Sequence, residues 1–350
     1  MNVTQDILRF LASAAASAVL VYLITPLFVV LAFRLGIIDA PGGRKIHKKI
    51  TPLLGGLSIY TGYLVGVLSN FHHLAHFLPL MSALTIIFAI GLIDDIHGLS
   101  AQTRLAFQFI ASVIVIASGG RIDFLPAVWW GEILEMIVTL LWLIGVTNAF
   151  NYLDGMDGLA TGSAIINLFF FAVILFITGQ RSTALLTAVA IGPCVGFLPH
   201  NFRKAKIFLG DAGSTFLGFF IASIGVIGYW AADNIAKITI PILILGVPIF
   251  DMIFTTIMRV RDGRVKTVVQ WLKYSGRDHF HHYLVDLGLR PTGAVLFIYL
   301  ITTSLGISAL NLSNDNAIEA VLTLFQASII FIMIAMVIVV GRRHEHGWGE

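Results

Sequence analysis

Apolar runs dominate this chain and leave it little choice of fold. Of its 350 residues, 57% are hydrophobic and 12% are charged, and a soluble domain carries about twice that charge. The runs fall at 8–33, 51–69, 74–93, 104–118, 132–150, 159–178, 182–199, 212–230, 238–258, 292–310 and 320–340. A helix of about 20 residues crosses a hydrocarbon core of about 30 Å, and it satisfies its own backbone hydrogen bonds where no water can. The pattern therefore predicts an all-α, polytopic integral membrane protein with about eleven transmembrane helices. No internal repeat or low-complexity tail divides the sequence, so 1–350 reads as a single membrane-embedded domain.

Charge orients that domain. The chain has 22 Lys and Arg residues, and of these only Arg9, Arg121, Arg181 and Lys237 fall in one set of alternating connections. All the others, from Arg34 to Arg343, fall in the second set. Basic residues accumulate on the cytoplasmic side, so the N-terminus is expected outside and the C-terminus in the cytoplasm. The same asymmetry explains the net charge of +3 without nucleic acid as a partner. The first run does not read as a cleaved signal peptide, because its small residues precede the strongest apolar segment and no basic region leads it. The lone cysteine, Cys194, excludes a disulfide framework and reads as a small buried apolar side chain. Two connections, 34–50 and 259–291, are long and basic. Trp271 and Tyr274 in the second predict a helix lying partly along the membrane interface.

Ionisable residues cluster where runs meet the cytoplasmic side, in segments near 34–50, 94–103, 151–158, 200–211 and 259–291. A charge near the bilayer centre costs about 2.5–3.5 kcal/mol, so such groups default to a functional reading. Asp94 and Asp95 end the third run. Adjacent carboxylates repel, and acids at a helix C-terminus oppose its dipole, so the pair points to a neighbouring cation or to base chemistry. Asp154 and Asp157 are flanked by Gly155 and Gly158; on a helix, their spacing would put both carboxylates on one face. Leu159, Ala160 and Thr161 supply none of the further ligands of a calcium loop. Asp211, in Phe208-Leu-Gly-Asp-Ala-Gly-Ser, is a hard oxygen ligand for Mg²⁺, and the helix start beside it offers amides to a phosphate. Asn201, ten residues earlier, has the groups to hydrogen-bond a sugar or base. His279, His281 and His282 follow Arg277, and without a cysteine cluster they read as phosphate donors rather than zinc ligands. His47 sits in a basic segment with Lys48, just before Thr51-Pro-Leu-Leu-Gly-Gly, and is a candidate substrate contact. Asp251 lies inside the ninth run and needs a partner, for which Thr255 is one turn away. No Walker A sequence is present.

In order and spacing, from Arg44-Lys-Ile-His47 to His282, these motifs resemble the polyprenyl-phosphate N-acetylhexosamine-1-phosphate transferases, the integral-membrane family that includes MraY and WecA. The block from Asn148 to Gly158 and the His-x-His-His pattern look closer to the WecA and TagO branch. MraY enzymes typically show three consecutive histidines and Thr-Pro-Thr-Met-Gly-Gly. Here Phe280 interrupts the histidines and the element reads Thr51-Pro-Leu-Leu-Gly-Gly, which argues against the alternative, a phospho-MurNAc-pentapeptide substrate. Arg104 stands where the family places a basic residue after the aspartate pair.

The resemblance implies a reaction at the cytoplasmic side of the inner membrane. Polyprenyl (undecaprenyl) phosphate attacks the β-phosphate of a UDP-N-acetylhexosamine, by default UDP-GlcNAc, giving polyprenyl-pyrophosphoryl-sugar and UMP. That is the first membrane step of cell-envelope glycan synthesis. It implies Mg²⁺, for which Mn²⁺ substitutes, held by Asp211, with Asn151 as a further candidate ligand. Asp94 would orient or deprotonate the lipid phosphate, supported by Asp95. Asp157 and Asn201 would read the uracil or ribose, Phe208 would stack on the base and Asp154 would shape the floor. His279, His281, His282 and Arg277 would stabilise the pyrophosphate. A homodimer is expected by the same analogy. A transporter, the rival from another class, predicts acids near the midplane and repeated halves, and this sequence shows neither.

Overall fold

The computed structural model describes residues 3–40, 50–267, 270, 271, 274, 276, 278–312 and 317–346. His47, Lys48 and Arg277 lie outside these residues, as does much of the expected interfacial helix around 270. The described chain is almost entirely helical. Its helices are α1 (Val3–Leu35), α2 (Gly55–Ser69), α3 (Phe71–Leu74), α4 (Leu78–His97), α5 (Ala101–Ala117), α6 (Trp129–Tyr152) and α7 (Leu159–Ile177). They continue as α8 (Arg181–Asn201), α9 (Gly210–Ile227), α10 (Asn234–Ile244), α11 (Gly246–Arg261), α12 (Phe280–Asp286), α13 (Pro291–Asn311) and α14 (Ala317–His346).

Every apolar run carries helix, but not every run is long enough to span. Eight helices have the length and apolarity to cross a membrane, or nine if α10 and α11 count as one broken span. Two expected spans are shorter. α2 has 15 residues and α5 has 17, about 23 and 26 Å at 1.5 Å per residue, short of the core's thickness. The run at 51–69 loses its first residues because Thr51–Pro52 forms a two-residue strand, β2, antiparallel to β1 (Ile38–Asp39). The run at 238–258 is not one helix either. Its halves meet at 77° across Leu245, where Gly246 favours a break and Pro248 lacks an amide to continue the ladder.

α9 is the central pillar. Nearly nine-tenths of it is buried, against about a tenth of α14 and a fifth of α1. It packs against α4, α6, α2 and α7, while α8 joins α1, α7 and α2 on one flank. With no hydrophobic drive between helices in lipid, close packing of small side chains holds such a bundle together. The Gly, Ala and Ser positions of α9 supply them. The exposed aliphatic residues of α1 and α14 are those of a lipid-facing surface. The N-terminal end of this buried pillar is where the acidic motifs gather.

Candidate active site

The start of α9 is held from three sides. Phe208 donates its amide to Pro52 (2.8 Å), and Gly55 and Gly56 donate theirs to Phe208 (3.0 Å) and Leu209 (2.8 Å). Asp95, at the end of α4, then caps the helix. Its Oδ1 accepts from the Asp211 amide (2.7 Å) and its Oδ2 from the Ala212 amide (3.0 Å). Gly210 has φ +72, and a Cβ there would press on the Asp95 carboxylate, so glycine is needed for both conformation and space. These bonds consume the amides that the sequence offered to a phosphate, and they make Asp95 a support for Asp211 rather than a group facing a ligand.

Asp94 points the other way. Gly98 closes α4 with φ +68, Ser100 caps α5 by accepting from the Thr103 amide (3.1 Å), and this tight turn brings Arg104 back over α4. One guanidinium nitrogen, Nη1 of Arg104, donates to Asp94 Oδ2 at 2.9 Å and to Asp211 Oδ2 at 3.3 Å. Asp94 also accepts from the Leu99 amide. Two carboxylates from different helices thus converge on a single cationic atom. From them a groove extends between α4, α5 and α9, lined by Ile87, Ile90, Gly91, Gln108 and Thr215.

Asn151, near the end of α6, donates through Nδ2 to Asp211 Oδ1 (2.6 Å) and to Ser214 Oγ (2.8 Å). Through its amide nitrogen Asn151 orients Asp211. Ser214 was not singled out by the sequence. Its position four residues after Gly210, to whose carbonyl it bonds (2.8 Å), was the available signal.

The segment between α6 and α7 is a turn, not a helix, because Gly158 adopts φ +77. The expected shared helical face of Asp154 and Asp157 is therefore absent. Asp157 accepts from the Ala205 amide (2.9 Å) and ties the turn to the loop before α9. Asp154 is half-buried, beside the Gly210 amide. Burial first, then the charges of Asp211 and Asp95, raise its pKa well above the ordinary carboxylate range. Asn201 is 2% exposed. Its oxygen accepts from the Gly158 amide and the Thr161 hydroxyl (both 3.1 Å), and its nitrogen donates to the Ile207 carbonyl (3.0 Å). It clamps the turn, and the expected contact with a sugar or base is corrected accordingly. Phe208 is half-buried beside this loop.

The histidines come from α12 and the residue before it. His279 stacks at 4.7 Å on Tyr152 and at 6.0 Å on His281. Its Nδ1 is 3.1 Å from Asp251 and its Nε2 3.3 Å from Arg259, so both ring nitrogens are engaged within the protein and the expected phosphate contact is not available to it. His281 is fully buried, and neither ring nitrogen has a protein partner. Its Nε2 abuts Gly155, where any Cβ would overlap it. Burial, then the charge of His282, lowers the pKa of His281 to about 3. His282 is half-buried, with its ring 4.2 Å from that of His281.

The arrangement thus joins Asp94, Asp211, Asp154 and Arg104 at one end of the bundle, with His281 against the adjoining turn. Among the described residues, no three His, Cys, Asp or Glu side chains form a ready-made metal cage. The acids nevertheless outnumber Arg104, and hard oxygens from two helices already meet on one cation. That donor set fits Mg²⁺, which takes one or two carboxylates and completes its shell with water and phosphate oxygens.

Comparison with known proteins decides among the chemistries such a site allows. Residues 77–229 match the model of glycosyl transferase family 4. A Bacillus subtilis protein described as a probable undecaprenyl-phosphate N-acetylglucosaminyl 1-phosphate transferase is 36% identical, over 89% of this chain and 87% of its own. A decaprenyl-phosphate N-acetylglucosaminephosphotransferase of Mycolicibacterium smegmatis is 32% identical, over 81% and 77%. The Escherichia coli K12 undecaprenyl-phosphate alpha-N-acetylglucosaminyl 1-phosphate transferase is 25% identical, over 85% and 84%. This chain belongs to their family. It is a multi-pass membrane transferase of the WecA and TagO kind, and the resemblance read from its motifs holds over nearly its whole length.

Proposed function

We propose that this transferase moves N-acetylglucosamine 1-phosphate from UDP-N-acetylglucosamine to a polyprenyl phosphate at the cytoplasmic face of the membrane. A lipid-phosphate oxygen attacks the β-phosphorus, the bond from that phosphorus to the bridging oxygen breaks, and UMP leaves. The observation that carries this reading is the triad Asp94–Arg104–Asp211 at the polar end of the groove between α4, α5 and α9. Arg104 suits a lipid phosphate, and Asp94 is placed to orient it and take its proton.

Three phosphates must meet in this reaction, so charge neutralisation and in-line positioning dominate the barrier. Mg²⁺, held by Asp211 when bound, would supply part of that neutralisation. Asn151 and Asp95 fix Asp211 for this purpose. On α12 the half-buried His282 stands on the pyrophosphate side, and the buried His281 packs beside it against Gly155. Phe208 and Asp157 border the uridine side.

The 22 basic residues favour a cytoplasmic C-terminus and an external N-terminus, which puts this site where nucleotide sugars are found. With α2 and α5 embedded and α10 and α11 forming one broken span, the bundle reaches the eleven passes that orientation requires. Family analogy adds a homodimer and a place in cell-envelope glycan synthesis.

The test is a panel of UDP-sugars given to purified enzyme with undecaprenyl phosphate and Mg²⁺. Rapid lipid labelling from UDP-GlcNAc and slow labelling from UDP-GalNAc are expected. Preference for another hexosamine would overturn the sugar assignment.

A further inference from the structure

Asp251 is a carboxylate inside a predicted apolar run, 238–258, that the site above does not use. It is completely buried in α11, and its partners come from a segment almost thirty residues further on. Oδ1 accepts from the Phe280 amide at 2.6 Å and from the Thr255 hydroxyl at 3.1 Å, and Oδ2 lies 3.1 Å from His279 Nδ1. The Thr255 contact is the one the sequence offered; the other two are long-range. Asp251 therefore holds the first amide of α12 and the side chain just before it.

The chain of contacts continues. His279 Nε2 lies 3.3 Å from Arg259 Nη2, and Arg259 is fixed by a two-point ion pair to Asp278, with Nε to Oδ2 at 2.9 Å and Nη2 to Oδ1 at 2.8 Å. A carboxylate on one side and a guanidinium on the other define the imidazole. Nδ1 must carry the proton to donate to Asp251, and Nε2 must offer its lone pair to Arg259. Every polar atom of His279 is then used inside the protein. Of the next residues along, His281 sets its Nε2 against Gly155, in the turn that carries Asp154, and the His282 ring lies 4.2 Å from that of His281.

We propose that Asp251 is a positioning residue for phosphosugar transfer. By fixing the tautomer of His279 and the first turn of α12, it sets where His281 and His282 stand against the Asp154–Gly155 turn. This rests on the reading that α12 faces the pyrophosphate. Asp251 itself touches no substrate. Its effect belongs to the reacting complex, so it should change turnover rather than nucleotide affinity.

The substitution Asp251→Asn keeps the shape but not the hydrogen-bond pattern. The carboxamide can accept from only one of Phe280 and His279, and its nitrogen would drive His279 to the opposite tautomer, setting two N–H groups face to face at Arg259. Misplacing a reacting group by about 1 Å can cost on the order of 100-fold in rate. A loss of that order in kcat is expected, with the dissociation constant for UDP-GlcNAc within about threefold of wild type. His279→Leu should give a similar loss, and the double variant should be no worse than either single one, because both break one connection. Thermal midpoint and monodispersity in detergent establish that each variant is folded. If Asp251→Asn does not fold, His279→Leu is judged alone by the same split between kcat and affinity.

Wild-type kcat in folded Asp251→Asn, an equal loss of nucleotide affinity, or losses that multiply to about 10⁴ in the double variant would overturn the proposal. His281→Leu serves as the separate control. If it retains full activity, the placement of α12 at the pyrophosphate is what fails. If it is inactive while Asp251→Asn is not, only the role of Asp251 fails.

Discussion

At the scale of single residues, the two faces of the aspartate pair have different work to do. Asp94 meets Arg104 at the groove, whereas Asp95 is spent on the amides of α9. Asp94→Asn should lower kcat by at least 100-fold and leave UDP-GlcNAc affinity nearly intact, since its partner is the lipid phosphate. Equal loss of nucleotide binding in a titration would show that the partner is wrong. Asp211→Asn removes the charge that holds a hard cation, and raising Mg²⁺ should restore little of its activity. His281 carries a prediction of the opposite sign. It is buried and without protein partners at both nitrogens, and burial sets its pKa at about 3 in the folded protein against about 6.5 unfolded. Its neutral form is therefore stable above pH 6.5, and stability drains away as pH falls from 6.5 toward 3, where the unfolded chain binds the extra proton. His281→Leu should abolish transfer yet match or exceed the wild-type thermal midpoint at pH 7, and lose less of it on acidification. A steeper acid loss in the variant would contradict this.

At the scale of elements, the sequence disclosed where helices run and where chemistry gathers, but not how helix ends lock together. Asp94, Asp154, Asp211 and the histidines were visible because charge is costly between apolar runs. Asn201 looked like a ligand because an amide serves substrate and backbone equally well, and only the fold shows that Gly158, Thr161 and Ile207 engage both its oxygen and its nitrogen. His279 misled for the same reason. The bend between α10 and α11 was legible only in part. Gly246 and Pro248 permit a break, yet its 77° angle depends on α11 reaching the segment around Asp278. The cap on α9 gives this scale its prediction. Asp95→Asn leaves one acceptor for two amides and should cost about 0.5–2 kcal/mol of stability, with a fall in kcat because Asp211 loses its support. Gly210→Ala should be worse, since φ +72 and the carboxylate both oppose it. A Gly210→Ala enzyme of normal stability, measured by thermal unfolding in detergent, would show that the cap is dispensable.

At the scale of the whole molecule, a central helix buried along nearly its full length presents its N-terminal end as the floor of a site, and the lipid-facing helices stand around it. This orientation is testable without any chemistry. A reporter fused after Glu350 should read as cytoplasmic and one placed within 311–319 as external; the reverse would put the site on the side without nucleotide sugars. The central claim, that a sugar 1-phosphate rather than a sugar is moved, is tested most directly by following the β-phosphorus. Purified enzyme is given undecaprenyl phosphate, Mg²⁺ and UDP-GlcNAc labelled with ³²P at the β-phosphate and with tritium in the sugar. Both labels should enter the lipid in equal amounts while UMP accumulates one for one. Release of labelled UDP, with tritium alone in the lipid, would contradict the account.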